Sequence, residues 1–376
     1  MSSEKFDKQL AELQAKGSYR QLSPLRHDGK DVFVDGKRML NLSSNDYLGL
    51  ASDQSLREQF FASTGSGALM SSSSSRLLTG NFGAYERLEN LLAQSYGGRS
   101  ALLFNSGYHA NIGILPALAD KKTLIVADKL VHASLIDGIQ LSGAAYKRYR
   151  HNDYEQLVRI LEQEGGGYDL RIIVTESIFS MDGDRADLSR LVEIKRSFPD
   201  TLLYVDEAHA VGVLGATGLG LAEEVGVVAD IDLLVATFGK ALASVGAYVI
   251  CNENIRRYLI NKTRPLIFST ALPPINIEWS LFVFDRLGQL GNRREKLRAV
   301  SRWFCGQLSA PKSHIVPYVV GENEAALQAS EKLREGGFLA LPVRPPTVPP
   351  GSARIRFSLT ADISIDDLTP LIPLLL

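Results

Sequence analysis

The chain has 376 residues, of which 45% are hydrophobic and 22% are charged, and its formal net charge is −1 at pH 7. This length exceeds the usual single domain of about 100–150 residues and can bury a large core. The near-neutral charge argues against a nucleic-acid-binding surface and an acidic disordered tail, so we expect a small-molecule partner. Cys251 and Cys305 form neither a metal-ligand spacing nor a disulfide framework, which fits a reducing compartment.

The N-terminal segment predicts no membrane association. Its first 22 residues are charged and amphipathic without an apolar signal core. No apolar run in the chain approaches the roughly 20 residues that span a bilayer. We therefore expect a cytoplasmic protein without a membrane anchor.

The first elements in chain order predict an arm over residues 1–44. A helical stretch is followed by a turn at Pro24 and by the segment DVFVDGKRMLNLSS. Its Asp35-Gly36 pair between alternating segments is a two-residue hairpin signal. The arm is therefore predicted to contain a helix and a short hairpin.

Seven apolar runs then alternate with helical stretches over residues 45–265: SALLFN, KTLIVAD, AAYKRYR, LRIIVTES, TLLYVDEA, DLLVATF and AYVICN. This alternation predicts an α/β fold, in which a mostly parallel central sheet has helices on both faces. After RPLIFSTALPP, a long helical region, the strand-like HIVPYVVG, another helix and the strand ARIRFSL predict a smaller α+β C-terminal domain over residues 266–376.

Several of the predicted strands end in residues suited to chemistry, and ligands of parallel sheets collect at these ends. FNSGYHAN opens a helix, so Gly107 and Tyr108 offer backbone N–H groups to an anion, although many strand-to-helix turns contain glycine. Asp206 and His209 follow another strand and His132 a third. The alternative for the first pair is a capping aspartate and a structurally bonded histidine.

Lys240 follows the buried-type run LLVATFG. A lysine beside buried surface is costly unless it is paired or carries out covalent chemistry, and the alternative is that it begins a surface helix. Pyridoxal phosphate needs a lysine, a carboxylate at its ring nitrogen, phosphate donors and a flat ring partner. Lys240, Asp206, the Gly107/Tyr108 turn with Thr237, and His132 supply one of each, so we expect this cofactor and no metal.

The motifs together resemble the α-oxoamine synthases, which are fold-type I pyridoxal-phosphate enzymes. The resemblance runs from about Tyr19 to the C-terminus and is carried by these segments: LSSNDYLGL, FNSGYHAN, HASLIDG, TESIFSMDGD, DEAHAVGVLG, TFGKAL and RPLIFSTALPP. Within that family, VRPPTVPPGSARIRFSL is most like the members that act in biotin biosynthesis.

The resemblance implies that Lys240 carries the cofactor and moves the α-proton, and that His132 stacks on the ring and supports the acyl group. Asp206 would bind the ring nitrogen. The residues implied in cofactor binding are Gly107, Tyr108, Ser180, Asp206, His209, Thr237, Lys240 and Ser269 or Thr270 of a neighbouring subunit, of which His209 and Ser180 would bond the ring oxygen.

Substrate residues follow from the same resemblance. Asn45 and Arg356 would hold the amino-acid carboxylate, and Arg20 and Thr347 match positions that contact the acyl substrate. In ARIRF, Arg356 alternates with apolar residues and its planar fork suits a carboxylate, but Arg354 shares its face, and both could lie on a solvated strand face. A surface position is the alternative for Arg20.

The activity implied is a decarboxylative condensation of L-alanine with a pimeloyl thioester, carried by coenzyme A or an acyl carrier protein, in a homodimer with a shared active site. Two alternatives stay open: another family member such as glycine C-acetyltransferase, and a non-catalytic cofactor-binding paralogue. The serine-rich loop of residues 71–75, followed by Arg76, and Tyr85 in place of a family histidine depart from the pattern. These departures concern acyl-chain handling more than cofactor chemistry.

Overall fold

The computed structural model describes residues 2–375 and, within them, all side chains except those of residues 2, 3, 66 and 165. Met1 and Leu376, the end residues of the predicted arm and small domain, lie outside the described residues. The strands are β1 (Arg26–Asp28), β2 (Asp31–Val34), β3 (Lys37–Asn41), β4 (Ser100–Phe104), β5 (Thr123–Asp128), β6 (Ala145–Tyr149), β7 (Leu170–Glu176), β8 (Thr201–Asp206), β9 (Leu233–Thr237), β10 (Ala247–Cys251), β11 (Ile315–Gly321), β12 (Phe338–Leu339), β13 (Pro342–Val343) and β14 (Ala353–Ser358).

Helices connect most of these strands. The α-helices are α1 (Ser2–Ala15), α2 (Gln54–Thr64), α3 (Gly83–Ser95), α4 (Gly107–Leu118), α5 (Ala133–Ser142), α6 (Tyr154–Glu164), α7 (Leu188–Ser197), α8 (Leu221–Glu224), α9 (Glu253–Lys262), α10 (Arg264–Ile267), α11 (Pro274–Asp285), α12 (Gly291–Leu308), α13 (Asn323–Glu335), α14 (Ile365–Leu368) and α15 (Ile372–Leu375). Within the described range, no helix is long and apolar enough to cross a membrane.

The chain divides into two compact units. The terminal unit comprises Met1–Ser52, Met181–Asp184 and Glu295–Leu376, and the central unit comprises Asp53–Ser180 and Arg185–Arg294. A compact unit is a group of residues that pack together, whereas a domain can also fold by itself. The division into an arm (1–44), a large domain (45–265) and a small domain (266–376) therefore stays a prediction.

The central unit is built around a seven-stranded sheet in the order β4-β10-β9-β8-β7-β5-β6. β10 is antiparallel to both of its neighbours, and every other pair in the sheet is parallel. The seven predicted apolar runs form these seven strands, so the predicted fold class is confirmed. Because β5, β8, β9 and β10 are almost entirely buried, they need the continuous apolar sequence that marks them.

Local capping places two helices at the carboxyl edge of this sheet. Ser106 precedes α4 with extended backbone, and its side chain accepts from the N–H of His109. His132 occupies the same position before α5, where its ring accepts from the N–H of Ser134, and α5 ends at left-handed Gly143 (φ 66°). These caps satisfy N–H groups that a helix start leaves open, so chain direction changes sharply after β4 and β5.

The terminal unit contains two smaller sheets, ordered β1-β2-β3-β12 and β11-β14-β13. Asp35 and Gly36, with φ of 50° and 79°, join β2 to β3, which confirms the predicted hairpin. The predicted strands HIVPYVVG and ARIRFSL form the antiparallel pair β11 and β14. The short strands β1, β12 and β13 were not predicted, because two or three residues carry no detectable alternation.

Candidate active site

The carboxyl ends of β4, β5, β7, β8 and β9 lie along one edge of the central sheet, since these five strands run in the same direction. The register places Glu176, the last residue of β7, opposite Asp206, the last residue of β8. Every cofactor residue predicted from the sequence, except the Ser269/Thr270 pair, follows one of these ends. The edge therefore concentrates the predicted cofactor chemistry in the central unit.

Lys240 lies three residues beyond β9, and its Nζ is 2.8 Å from Nε2 of His209. Lys240 is half-buried and His209 is buried. The alternative in which Lys240 begins a surface helix is wrong, because residues 238–242 form a bend and a turn between β9 and β10, and the lysine side chain contacts the histidine. A lysine held in this way can reach an electrophile at the sheet edge.

The Asp206 carboxylate is buried, and hydrogen bonds orient both of its oxygens. Oδ1 accepts from the N–H of Ala208 and Oδ2 accepts from Nδ2 of Asn111, both at 2.9 Å. A carboxylate held by two neutral donors keeps lone pairs for a protonated ring nitrogen. This side chain caps no helix, so its geometry suits the role of anionic partner.

His132 lies at the end of the loop after β5. Burial and the nearby Lys240 ammonium lower its pKa, while the Asp206 and Asp137 carboxylates oppose them. Glu176 accepts a hydrogen bond from the backbone N–H of His132, and its buried Oε1 has no hydrogen-bond partner among the residues that the structure describes. Burial, together with Asp206, raises the pKa of Glu176 well above its usual range.

The turn between β4 and α4 faces Thr237. A Cβ built on Gly107 would lie 3.9 Å from Cβ of Thr237, whose hydroxyl bonds the N–H of Gly239. The start of α4 therefore presents backbone N–H groups beside a threonine, as a phosphate site requires. The Tyr108 hydroxyl donates to Asp137 at 2.7 Å, so the Tyr108 side chain is directed toward α5.

Ser269 and Thr270 lie against this turn within the same chain. Nδ2 of Asn105 donates to Oγ of Ser269 at 2.9 Å and to the carbonyl of Thr270 at 2.7 Å. Ser180 is buried at the end of the central unit's segment after β7. Asn105 was not predicted as a site residue, although it lies within the FNSGYHAN motif.

Two predicted substrate residues meet in the terminal unit. Nη1 and Nη2 of Arg356 lie 3.4 and 3.5 Å from Oδ1 of Asn45, which also accepts from the Tyr47 hydroxyl at 3.0 Å. Arg354 is 5% exposed and pairs with Asp182. Arg356 is half-buried, and its Nη1 also donates to Oγ of Ser358 at 2.6 Å. The alternative of a solvated strand face is therefore wrong for both arginines, and the two have different partners.

The other predicted pair also meets in the terminal unit: Nη2 of Arg20 donates to Oγ1 of Thr347 at 3.2 Å. Arg344 bonds the carbonyl oxygens of Gly17 and Tyr19. Its pKa is lowered by burial and by the like charge of Arg20. Two guanidinium groups close to each other can accept an anion.

A hydrogen bond and an ion pair hold the two ends of the serine-rich loop. Ser72 donates to the carbonyl of Ala271 at 2.6 Å, and Arg76 pairs with Glu89 at 2.7 Å. Tyr85 is buried under Arg76, and burial raises its pKa to about 12. The two departures from the family pattern thus form one packed structure beside the segment that contains Ser269 and Thr270.

The sequence analysis missed residues that contact the predicted ones: Asn105, Asn111, Ser134 and Glu176 in the central unit, and Tyr47 in the terminal unit. All five lie inside quoted motifs, so the motifs marked the right segments. Asn111 lies one helical turn after Gly107, which places it on the side of α4 that faces the sheet edge. That spacing is the signal that could have identified it.

The residues at this edge fit pyridoxal phosphate, because a different strand end would hold each of its polar parts: the N–H groups at Gly107 the phosphate, the oriented Asp206 carboxylate the ring nitrogen, and Lys240 the aldehyde carbon. The mostly parallel sheet and this donor set define a pyridoxal-phosphate-dependent enzyme of fold type I.

Comparisons with known proteins agree. The family model described as aminotransferase class I and II matches residues 37–373. A Haemophilus influenzae protein, provisionally named an 8-amino-7-oxononanoate synthase, is 56% identical over 96% of this chain and 97% of its own. A Neisseria meningitidis protein with the same provisional name is 55% identical over the same shares of the two chains.

Solved structures point to the same group. A serine palmitoyltransferase from S. paucimobilis with bound PLP superposes with a TM-score of 0.90 at 27% identity, covering 98% of this chain and 95% of the other. An 8-amino-7-oxononanoate synthase from Francisella tularensis gives a TM-score of 0.75 at 30% identity over 90% and 96%. The chain belongs to the class I and II aminotransferase family and, within it, to the α-oxoamine synthases.

Proposed function

We propose that the protein condenses L-alanine with a pimeloyl thioester to form 8-amino-7-oxononanoate, a step of biotin biosynthesis. The observation that carries this proposal is the 56% identity to the Haemophilus influenzae relative over nearly the whole chain. The Arg356–Asn45 and Arg20–Thr347 pairs support it, because the reaction needs sites for an amino-acid carboxylate and for an acyl group that ends in a second carboxylate.

The cofactor, when bound, supplies an electron-accepting ring that stabilises negative charge on the α-carbon of the amino acid. Lys240 is the proposed base for the α-proton and acts as its neutral amine, since the side chain is half-buried and its Nζ lies 2.8 Å from Nε2 of His209. Asp206 keeps the ring nitrogen protonated and Arg356 holds the alanine carboxylate. A base fixed beside its target makes proton transfer intramolecular, which accounts for a large part of the rate.

The overall reaction needs one proton besides the two substrates. A carbon–carbon bond forms between the alanine α-carbon and the thioester carbonyl carbon, the bond from that carbon to sulfur breaks, and the departing thiolate takes up the proton from solvent. The bond from the α-carbon to the alanine carboxyl group then breaks, carbon dioxide leaves, and Lys240 returns a proton to the α-carbon. His132, whose ring is neutral near pH 7 because its pKa is lowered, donates to the acyl oxygen.

We further propose that a second copy of the chain completes the phosphate site with its own Ser269 or Thr270, and that the protein is a homodimer. Exposed apolar side chains on two loops that backbone hydrogen bonds join support this, because extensive exposed apolar surface marks an interface. This apolar loop patch comprises Leu69 (54% exposed), Met70 (73%), Leu77 (49%), Leu78 (79%) and Phe268 (71%).

The test is a substrate panel on the purified protein loaded with pyridoxal phosphate. L-Alanine, glycine and L-serine are each combined with pimeloyl-, acetyl- and palmitoyl-coenzyme A, and pimeloyl-acyl carrier protein is compared with pimeloyl-coenzyme A. Serine and palmitoyl-coenzyme A belong in the panel because a serine palmitoyltransferase superposes with a TM-score of 0.90. Product and carbon dioxide are measured together.

We expect product only with alanine and a pimeloyl thioester. Turnover that prefers glycine with acetyl-coenzyme A, or serine with palmitoyl-coenzyme A, would replace the proposed substrates within the same family. Lys240→Ala should abolish turnover, whereas Lys262→Ala, an exposed lysine on α9, should leave it unchanged. Absence of product with every pair would support a non-catalytic paralogue.

A further inference from the structure

A buried chain of hydrogen bonds joins Asp206 to His132 through two residues of α4 and α5. Nδ2 of Asn111 is 2.9 Å from both Oδ2 of Asp206 and Oγ of Ser134, and Oγ of Ser134 is 2.8 Å from Nδ1 of His132. The Tyr204 hydroxyl lies 2.6 Å from Oδ1 of Asn111. Asn111 and Ser134 are each 1% exposed, so solvent does not compete for these bonds.

The chemistry of the groups determines the direction of every bond. An ionised carboxylate only accepts, so the amide nitrogen of Asn111 must face Asp206 and its oxygen must accept from Tyr204. The second N–H of the amide donates to Ser134, which leaves the hydroxyl proton for Nδ1 of His132. The backbone N–H of Ser134 also donates to that nitrogen, at 3.2 Å.

Nδ1 of His132 therefore carries no proton in this structure. The proton of the neutral ring lies on Nε2, the nitrogen that Ser134 does not engage. A neutral Nε2–H ring is a hydrogen-bond donor, whereas the opposite tautomer would present a lone pair from that nitrogen. Ser134 thus determines what His132 can offer to a ligand.

The packing of α4 against α5 keeps this chain in place. A Cβ on Gly138 of α5 would lie 2.4 Å from the carbonyl oxygen of Asn111 and 3.3 Å from Cδ1 of Leu115. The two helices approach so closely because residue 138 has no side chain. The backbone of Asn111 is therefore in close contact with α5, the helix that contains Ser134.

We propose that Asn111 and Ser134 are positioning residues, which hold the Asp206 carboxylate in one orientation and hold His132 as its Nε2–H tautomer. The inference rests on the cofactor site and is independent of which amino acid and thioester react. It adds Asn111 and Ser134 to the groups that would touch the cofactor, because these two residues link Asp206 to His132.

Three ionisable groups act on the charge of the His132 ring: Asp206, Lys240 and Asp137. A fourth, Glu176, accepts from the backbone N–H of His132. Ser134 adds a donor to the neutral form of the ring, which lowers the pKa of His132 further. Removing that hydroxyl should raise the pKa, whereas the opposite tautomer would make Ser134 an acceptor and give the opposite sign.

The test is nitrogen NMR of the cofactor-loaded protein labelled with ¹⁵N-histidine. Among the six histidines, the His132 resonances are identified by their loss in His132→Gln. In the wild type we expect an unprotonated Nδ1 and a protonated Nε2. In Ser134→Ala the titration midpoint should rise by about 0.5–1 pH unit, the effect of one lost hydrogen bond.

Ser134→Thr, which retains the hydroxyl, should restore the wild-type midpoint, and Ser142→Ala on the same helix is the matched control. A protonated Nδ1 in the wild type, or an unchanged or lowered midpoint in Ser134→Ala, would overturn the proposal. These measurements use no substrate, so they stand apart from the substrate panel.

A second variant tests the Asp206 end of the chain. Asn111→Ser shortens the side chain and should raise the dissociation constant for pyridoxal phosphate about tenfold, because Asp206 loses one orienting donor. Circular dichroism checks whether Asn111→Ser folds. If it does not fold, the titration of Ser134→Ala alone decides the proposal. Unchanged cofactor affinity in folded Asn111→Ser would refute the role of Asn111.

Discussion

Arg354 and Arg356 alternate on one strand, and their immediate partners separate their roles. Arg354 is buried against Asp182, whereas Arg356 lies beside the Asn45 side chain. Arg356→Lys should raise the KM for the amino acid about tenfold or more with a smaller effect on kcat, because an ammonium cannot reproduce the two parallel bonds of a guanidinium. Steady-state kinetics with varied amino acid measure this effect.

Arg354→Lys is the matched comparison, with the same substitution two residues away. It should lower the free energy of unfolding, since it weakens a buried ion pair, and leave KM near the wild-type value. An increase in KM in Arg354→Lys that equals the increase in Arg356→Lys would show that the two arginines are not functionally distinct.

The contribution of Glu207 to the free energy of unfolding depends on pH. Its carboxyl group accepts from the N–H groups of Leu221 and Ala222, and burial raises its pKa to about 7. Between about pH 4.5 and 7 the folded protein holds a proton that the unfolded chain has released, so this group's contribution to stability falls as the pH rises. The loss amounts to at most about 3 kcal/mol.

Glu207→Gln stays neutral and should lack this decline. The measurement is urea unfolding at several pH values between 4 and 8. The free energy of unfolding of the wild type minus that of the variant should become smaller toward the high end of this range. A difference that is constant with pH would show that Glu207 titrates equally in the folded and unfolded states.

At the scale of elements, the contact of α4 with α5 depends on Gly138. Gly138→Ala places a methyl group against the backbone oxygen of Asn111, which can give way only if α4 moves. Overpacking of this kind should lower the free energy of unfolding by about 1–3 kcal/mol and weaken cofactor binding as well. Denaturant unfolding and a pyridoxal phosphate titration measure the two effects.

Gly306→Ala in α12 is the control, because a Cβ there meets no atom within 4 Å. A helical glycine replaced by alanine in open space should gain about 0.5–1 kcal/mol. Equal effects of the two substitutions would mean that the close approach of α4 and α5 is not what Gly138 provides.

At the scale of the whole molecule, the apolar loop patch predicts self-association. The patch lies on two loops, one with Leu69 to Leu78 and one with Phe268. Backbone hydrogen bonds join them: the N–H of Ala271 donates to the carbonyl of Ser74, and the N–H of Ile275 donates to the carbonyl of Leu69. Sedimentation should give a mass of twice 41.1 kDa. Leu78→Asp should shift the protein toward monomer and reduce activity, because a charge in an apolar interface remains unpaired.

Leu141→Asp replaces another exposed leucine, on α5 and outside the patch, and should leave the mass unchanged. A wild type that sediments as a monomer at all concentrations would remove the proposed shared phosphate site. A dimer that survives Leu78→Asp would place the interface elsewhere.

Most strands of the central sheet were predictable because buried strands need continuous apolar runs, whereas β6 is largely exposed and was recognised from its place in the alternation. The Asp35-Gly36 hairpin was predictable because its turn needs positive φ. The strand-end rule also predicted that Lys240, Asp206 and His132 belong to one site. Only the family resemblance predicted that Asn45 and Arg356 act together, and that Arg20 and Thr347 do. Residues separated by about 300 positions carry no local signal of contact.

Local patterns in the sequence reveal the longer elements and the sheet edge where the predicted site residues lie, because periodicity and turn residues act within a few positions. The pairing of polar groups across elements follows from the folded structure: Asn111 with Asp206, Asn111 with Ser134, and Asp182 with Arg354. These partners are distant in the sequence or lie on different elements. Their pairing depends on helix packing and strand register, which no local pattern records.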